Sequence, residues 1–284
     1  MNKFTFLSKD QMFGENRLEI FDKVGTRAAP TDFAILLGGY VSRYFANDNT
    51  SSLANRTGYY WTQSVDNGKV HIVSSVGEIN DFRAMNRIIS ARPITSLTDI
   101  TSDNLYEDIS DEAITVEYGF YPQTAVDINL QKELEKAYKR FRLESTGNTY
   151  TVDSRKWYEF DKEFSPKTIN EYEYNGERYV RVIANSCFDD DKFELSNMKH
   201  YRNHDAVWVK VEPVRWLVDK KTNTMVSERL LFAGVPFRNL RSYSNDFNTM
   251  DIKKYMDRDF ARDLIQSITI VQLKPMGYSR TLKK

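Results

Sequence analysis

The strongest indication of the fold lies in the stretch Glu171-Tyr172-Glu173-Tyr174-Asn175-Gly176-Glu177-Arg178-Tyr179-Val180-Arg181-Val182 of this 284-residue chain. Polar and apolar side chains alternate on both sides of Asn175-Gly176, the dipeptide that best satisfies a type I′ turn between antiparallel strands. The pattern predicts a β-hairpin over 171–182, and therefore an antiparallel sheet.

A second antiparallel pair is predicted further along the chain. Valines alternate with other residues over 207–211 and lead to Pro213, after which an apolar run covers 214–218. The polar turn 220–223 separates that run from Met225-Val226. Alternation followed by a turn is typical of paired strands.

Amphipathic helices are predicted between these strands, since apolar residues recur every three or four positions and glycines or capping residues mark the ends. They are a short helix with Leu18, Phe21 and Val24 that ends at Gly25, a Thr31-capped helix over 33–37, a helix capped by Asp127 with the stripe Leu130, Leu134, Ala137, Tyr138 and Phe141, and a last helix from Ile252 to Ile268 capped by Thr249 or Asp251. A further strand is predicted near Val70 and Ile72, after the turn 66–68.

The sequence therefore predicts an α+β fold with irregular, mainly antiparallel sheets and a few amphipathic helices. Residues 98–112 are polar and acidic, which predicts a linker between an N-terminal α/β segment, 1–97, and a main region, 113–284. The two regions are alternatively expected to form one domain together. A chain of this length can bury a large core.

Composition excludes several classes of protein. Forty basic residues balance forty acidic ones, so no global charge favours nucleic acid or an anionic membrane. Cys187 is the only cysteine, which excludes an intrachain disulfide and a thiolate zinc cluster. Residues 1–14 lack a continuous apolar stretch, so we predict neither signal peptide nor membrane anchor, and a cytoplasmic location.

Catalytic and cofactor motifs are missing from the sequence. It contains no nucleotide-binding glycine loop, so no cofactor is predicted. His200 and His204 are four residues apart, and on a helix they would share one face and offer two nitrogens to zinc, with Asp205 or Asp189–Asp191 as an oxygen ligand. Arg202 lies between them and would repel a cation, so the pair is at most a weak metal candidate.

Several motifs resemble those of an uncharacterised bacterial domain family, whose pattern opens on Tyr-Pro-Gln and continues with Pro-x-x-Trp, Trp-Leu-Arg-Ser and Val-Arg-Pro. The matching segments here are Tyr121-Pro122-Gln123, Pro213-Val214-Arg215-Trp216, Trp61-Thr62-Gln63-Ser64 and Ala91-Arg92-Pro93. The last two precede the first two, so the order is permuted. The resemblance implies a fold related to the formylglycine-generating and C-type-lectin-like group. The oxidation that formylglycine-generating enzymes carry out needs a pair of cysteines, and this chain has only one. The resemblance therefore implies a binding scaffold.

The sequence is best interpreted as a non-enzymatic interaction protein. Large amphipathic rings and arginines are enriched at interfaces, and they occur in the loop 55–64 and in the segment 232–246. A protein partner is expected, and a glycan is an alternative. Two other functions stay open, namely a phage or mobile-element inhibitor of a host nucleic-acid machine, which the basic residues 211–284 favour, and a hydrolase. The predicted binding residues are Tyr59, Tyr60, Trp61, Arg92, Phe237, Arg238, Arg241 and Tyr243.

Overall fold

A computed structural model describes residues 4–42, 56–84, 86–97, 106–109, 114–159, 162–188, 192–238 and 246–266. Their architecture is α+β with mainly antiparallel sheets and few helices, which confirms the predicted fold class. The strands are β1 (Thr5–Phe6), β2 (Tyr60–Asp66), β3 (Lys69–Val73), β4 (Ile79–Phe82), β5 (Pro93–Ser96), β6 (Tyr106–Ile109), β7 (Ile114–Ala125), β8 (Glu144–Asp153), β9 (Pro166–Tyr174), β10 (Glu177–Ile183), β11 (Phe193–Glu194), β12 (His200–Tyr201), β13 (Ala206–Asp219) and β14 (Thr224–Ser227).

Within the described residues the main sheet has nine strands, in the order β1-β5-β14-β13-β10-β9-β8, with β7 paired to β13 and β6 paired to β7. Every registered ladder is antiparallel. The predicted hairpin is confirmed, since Tyr174 faces Glu177 across Asn175 and Gly176. Both turn residues have positive φ, 53° and 79°, as a type I′ turn requires. Strands β2, β3 and β4 form a separate sheet, and β11 pairs with β12.

The long strand β13 lies at the centre of the main sheet and divides it into two arms. Along one edge β13 pairs with β7, while along the other it pairs with β10 through 206–210 and with β14 through 216–219. Pro213 lies between these two stretches, where β13 has a ladder partner on one edge only. Because proline has no N–H to donate, this position allows it inside a central strand. The predicted antiparallel pair across the turn 220–223 is confirmed, since Leu217 faces Val226 and Val218 faces Met225.

The ladder between β7 and β13 contains two register shifts, and at each of them β7 has one residue more than β13. One register shift leaves Gln123 without a partner on β13, and its Nε2 donates to the carbonyls of Glu212 at 3.2 Å and Pro213 at 2.8 Å. A second shift lies at Gly119, whose φ is +74°. At the first shift the Gln123 side chain thus provides hydrogen bonds to two carbonyls of β13 beside an interruption of the ladder.

The helices pack against the sheet and largely follow the predictions. They are α1 (Lys9–Phe13), α2 (Ile20–Val24), α3 (Asp32–Leu36), α4 (Ile128–Lys139) and α5 (Asp251–Tyr255). The predicted caps are confirmed, since Thr31 Oγ1 accepts from Ala34 N and Asp127 accepts from Asn129 N and Leu130 N. Helix α5 continues through a π-helical segment, Met256–Phe260, and through helical residues 261–266. We refer to the whole as the 251–266 helix.

Two local features differ from what the sequence predicts, while the division of the chain at 98–112 stays a prediction. Residues 106–109, within the predicted acidic linker, form β6 and pair with β7, because strand pairing overrides their polar composition. The rest of 98–112 lies outside the described residues. The last helix is preceded by Met250 as its N-cap, with no side-chain hydrogen bond, where Thr249 or Asp251 was expected. Residues 1–97 contribute β1 and β5 to the main sheet.

The core contains the large side chains of the family-like motifs. Trp61, Tyr121 and Trp216 are fully buried, and Arg92 is 1% exposed. The phenyl ring of Phe260 meets the ring of Tyr121 at 5.4 Å and that of Phe232 at 5.1 Å between centroids. These four motif side chains therefore pack in the core, and Tyr121 contacts the 251–266 helix.

We predict that Gly119→Ala destabilises the protein more than Gly147→Ala. Both glycines have positive φ, +74° and +85°, so alanine is strained at either position by about 1 to 2 kcal/mol. Only at Gly119 would the new Cβ lie 2.5 Å from Leu264, whereas nothing lies within 4 Å at Gly147. The overpacking adds about 1 to 3 kcal/mol.

The free energy of unfolding in urea, measured for both variants and the wild type, tests this prediction. Gly147→Ala is the matched control for backbone strain. Equal losses in the two variants would show that the packing of Gly119 against Leu264 is unimportant.

Candidate functional site

A cleft opens where β9 and β10 separate. Their pairing ends at Glu171 and Val180, although β9 extends back to Pro166 alongside β8 and β10 extends on to Ile183 alongside β13. Between the diverging strands lies a cavity of about 430 Å³. Its lining also includes Leu37, at the end of α3, and Tyr138 of α4.

A second cavity of about 370 Å³ continues the first. The two cavities share Lys156, Asn185 and His204 in their linings. The second is bordered by the loop 154–159 on one side and by residues 202–204 on the other. Together they form one open groove, which we call the β9–β10 cleft.

The outer edge of the neighbouring strand β8 is covered by the 251–266 helix. Gln266 accepts from Thr149 N at 3.2 Å and donates to Thr149 O at 2.8 Å. Asp263 accepts from Thr151 N at 2.6 Å, and Tyr255 Oη donates to Thr151 O at 2.6 Å. Side chains thus occupy the main-chain groups that would otherwise form an open sheet edge.

The position of this cover shows which main-chain groups of β9 point into the cleft. The main-chain N–H and C=O groups of Thr149 and Thr151 point away from β9. The main-chain groups of Tyr150 and Val152 therefore point towards β9, where they lie opposite Ile169 and Lys167. On β9 the N–H and C=O groups of Thr168 and Asn170 therefore point at β10, across the cleft.

The same reasoning applies to β10. Val126 N donates to Trp208 O at 3.0 Å, so Trp208 directs its main chain towards β7. Its partner on β10 is Arg181, which must then direct its main chain away from β13. Arg181 and Ile183 consequently present their N–H and C=O groups to the cleft from the side opposite Thr168 and Asn170.

Cations dominate the charged lining of the cleft. Lys156, Lys167 and Arg202 are exposed and form no ion pair within the described residues. Arg181 donates to both oxygens of Glu135 at 2.9 and 3.0 Å, and these bonds hold the pKa of Glu135 below its ordinary value. Asp153 is the lining carboxylate in this part of the chain, and it is buried.

Two buried guanidinium groups neutralise Asp153 and hold the loop 154–159 in place. Arg155 contacts both oxygens of Asp153, and Arg87 Nη2 lies 3.6 Å from Oδ2. Arg87 also donates to the carbonyls of Arg155 at 2.9 Å, of Gly234 at 2.8 Å and of Lys156. Burial lowers the pKa of Arg87 to about 10, so it stays charged at neutral pH. A buried charge held by several partners fixes the local backbone, because losing one partner is costly.

Apolar and aromatic surface accompanies these cations. Ile183 is 43% exposed and Tyr158 is 49% exposed, and both line the cleft. The ring of Trp157 meets the ring of Tyr158 edge to face at 5.7 Å, and Lys156 Nζ lies 5.8 Å from the centroid of Tyr158. Asn185 anchors the base of the loop by donating to Arg155 O at 2.8 Å.

The structure does not bring the predicted binding residues together at a surface. Tyr60, Trp61, Phe237 and Arg92 are buried, so they cannot contact a partner in this conformation. Arg92 donates to Ser227 O and Thr26 O at 3.1 Å, which satisfies its charge inside the core.

The other predicted binding residues lie elsewhere. Tyr59 is half-buried and stacks on Tyr40 with 4.5 Å between ring centroids, and Arg238 is half-buried and donates to Gly68 O at 3.1 Å. Arg241 and Tyr243 lie outside the described residues.

The weak metal candidate has no support in the geometry. His200 lies on strand β12, and His204 lies in a turn with φ of +75°, so the helical spacing that would join them is absent. Asp189–Asp191 lie outside the described residues. Among the residues that are described, no group of three or more His, Cys, Asp or Glu side chains is placed to hold a metal ion.

Comparison with protein-family models, with curated proteins and with solved structures found no match for this chain. The resemblance to the bacterial domain family, and the C-type-lectin-like fold that it implies, therefore stay predictions. Within the described residues no helix is long and apolar enough to cross a membrane.

We predict that Asp263 makes the stability of the protein depend on pH. Burial is the main cause that raises its pKa from 3.8 to about 6, although Thr151 N and Arg262 favour the charged form. An acid whose pKa is raised by folding contributes stability at low pH, and this contribution is lost as the pH rises through the folded-state pKa. The wild type should therefore lose about 2 to 3 kcal/mol relative to Asp263→Asn between pH 4 and pH 7.

Urea unfolding of both proteins across that range measures the difference. The contributions of all other titrating groups cancel in this difference, because the wild type and Asp263→Asn share them. A difference that is constant with pH would show that Asp263 titrates at its ordinary pKa.

Proposed function

We propose that the protein is a non-enzymatic binding protein that accommodates part of a protein partner in the β9–β10 cleft. The observation that carries this proposal is the early end of the pairing between β9 and β10, which leaves a cavity of about 430 Å³. Sites that bind ligands are concave and combine apolar walls with a few fixed polar groups. The cleft has both, in Ile183 and Tyr158 and in the cations around them.

The fixed loop supports binding. Because Arg87 and Asn185 hold the carbonyls of the loop 154–159, Lys156 and Tyr158 project from a backbone that is ordered before a partner arrives. A preorganised surface loses less conformational entropy on association. The cationic lining favours an acidic partner surface and steers its approach.

The side chains that line the cleft favour a binding function over a catalytic one. Asp153 is held by Arg87 and Arg155, so it is not available as a general base or nucleophile. A glycan partner, inhibition of a host nucleic-acid machine and a hydrolase stay predictions that no particular contact favours over a protein partner.

Site-specific photo-crosslinking tests the proposal. The photoreactive residue p-benzoylphenylalanine replaces Ile183 in one version of the protein and Val76 in the other. The two positions are matched, since both carry β-branched apolar residues with 43% and 46% exposure. We expect a partner adduct from position 183 and none from position 76.

A charge-reversed protein provides the second arm. Changing Lys156 and Lys167 to Glu should abolish the adduct at position 183, because the cleft would then repel an acidic partner. Adducts at both positions, or no adduct at position 183, would place the binding surface elsewhere. An adduct at 183 that survives the charge reversal would show that Lys156 and Lys167 do not attract the partner.

A further inference from the structure

We propose that the β9–β10 cleft binds its partner by strand addition, with an extended acidic segment of the partner pairing main chain to main chain with β9 and β10. This inference rests on the proposed function and specifies the ligand of that site. In strand addition, main-chain hydrogen bonds provide affinity, and pockets for alternate side chains provide specificity.

Main-chain geometry is the first argument. Thr168 and Asn170 on β9, and Arg181 and Ile183 on β10, direct their N–H and C=O groups into the cleft. Each pair is separated by two positions, about 6.6 Å along a strand, which is the repeat of hydrogen-bonding residues in an extended partner. The cleft therefore has the spacing of a sheet edge on both walls.

The contrast with the neighbouring strand is the second argument. The helix 251–266 covers Thr149 and Thr151 of β8 with three side chains. Among the described residues, no side chain is seen to hydrogen-bond the main chain of Thr168, Asn170, Arg181 or Ile183 as Asp263, Tyr255 and Gln266 do on β8. Proteins commonly cover open strand edges to prevent pairing with other chains. Two uncovered strand segments inside a basic groove are therefore suited to pairing with a specific partner.

Charge identifies the chemistry of the segment. Lys156, Lys167 and Arg202 are exposed at the lining, while Asp153 is neutralised by two guanidinium groups. Carboxylates on alternate residues of the segment would face these cations. Basic segments would meet repulsion, so an acidic segment is the complementary occupant.

A single-stranded nucleic acid is the competing occupant, because it also combines negative charge with rings that stack on Tyr158 and Trp157. The main-chain groups argue against it. A peptide backbone alternates donors and acceptors and can satisfy both the N–H and C=O groups of the cleft. A phosphate backbone offers acceptors only, so the carbonyls of Thr168, Asn170, Arg181 and Ile183 would gain nothing from it.

The experiment uses the full chain and a phage-displayed library of random twelve-residue peptides. Selected peptides are synthesised with a fluorophore, and their affinities are measured by fluorescence anisotropy against three proteins. These are the wild type, Ile183→Pro, which removes an N–H that points into the cleft, and Ile183→Thr, which keeps that N–H and the β-branch. Lys167→Glu and an oligothymidylate probe complete the set.

We expect the selected peptides to be rich in Asp and Glu and to bind the wild type and Ile183→Thr within about threefold of each other. Binding to Ile183→Pro should be at least about tenfold weaker, the scale of one or two lost main-chain hydrogen bonds. Should Ile183→Pro fail to fold, the same loss is expected when alternate residues of the peptide are N-methylated and tested on the wild type.

Two results would overturn the inference. If Lys167→Glu weakens binding but the proline variant and N-methylation do not, the cleft binds through side chains; strand addition is then wrong while the proposed function stands. If no selected peptide responds to any of these changes, or if oligothymidylate binds the wild type in a Lys167-dependent way and the peptides do not, both proposals are wrong.

Discussion

Pro213 has no N–H to donate, and the architecture of the sheet depends on how the chain accommodates it in the longest strand. Strand β13 solves the problem by exchanging one neighbour for another at this point, with β10 on one side of the proline and β14 on the other. Gln123 donates hydrogen bonds to two carbonyls of β13 where the ladder with β7 shifts register. One arm of the sheet then holds the N-terminal strands, and the other leads to β10, β9 and β8.

The second arm shows how burial of charge serves a surface. Arg87 and Arg155 surround Asp153 in the interior, at a desolvation cost that several hydrogen bonds offset. The buried charge fixes the position of the loop beside the cleft, because Arg87 binds carbonyl groups of that loop. The positions of Lys156 and Tyr158 thus depend on Arg87, a core residue that is distant in sequence. A change in the core at Arg87 would therefore also change the cleft.

Local chemistry made much of the fold predictable. The turn Asn175-Gly176 and the caps Thr31 and Asp127 act over a few residues, so their patterns are visible in the sequence. The cleft is different, because it exists where the pairing of Glu171 with Val180 stops, and no local pattern marks the end of a ladder. Tyr60 and Trp61 were predicted to lie at a binding surface and lie in the core, because aromatic rings suit both environments equally well. The cations at the cleft are scattered over about fifty residues and gave no cluster in sequence.

The cover on β8 also bears on how the chain is made. Ribosomal synthesis proceeds from the N-terminus, so β8 leaves the ribosome long before the helix 251–266 that will occupy its edge. During that interval Thr149 and Thr151 have no side chains to satisfy them, and the nascent sheet is open to pairing with other chains. The 251–266 helix can therefore cover this strand edge only after the helix itself has been synthesised.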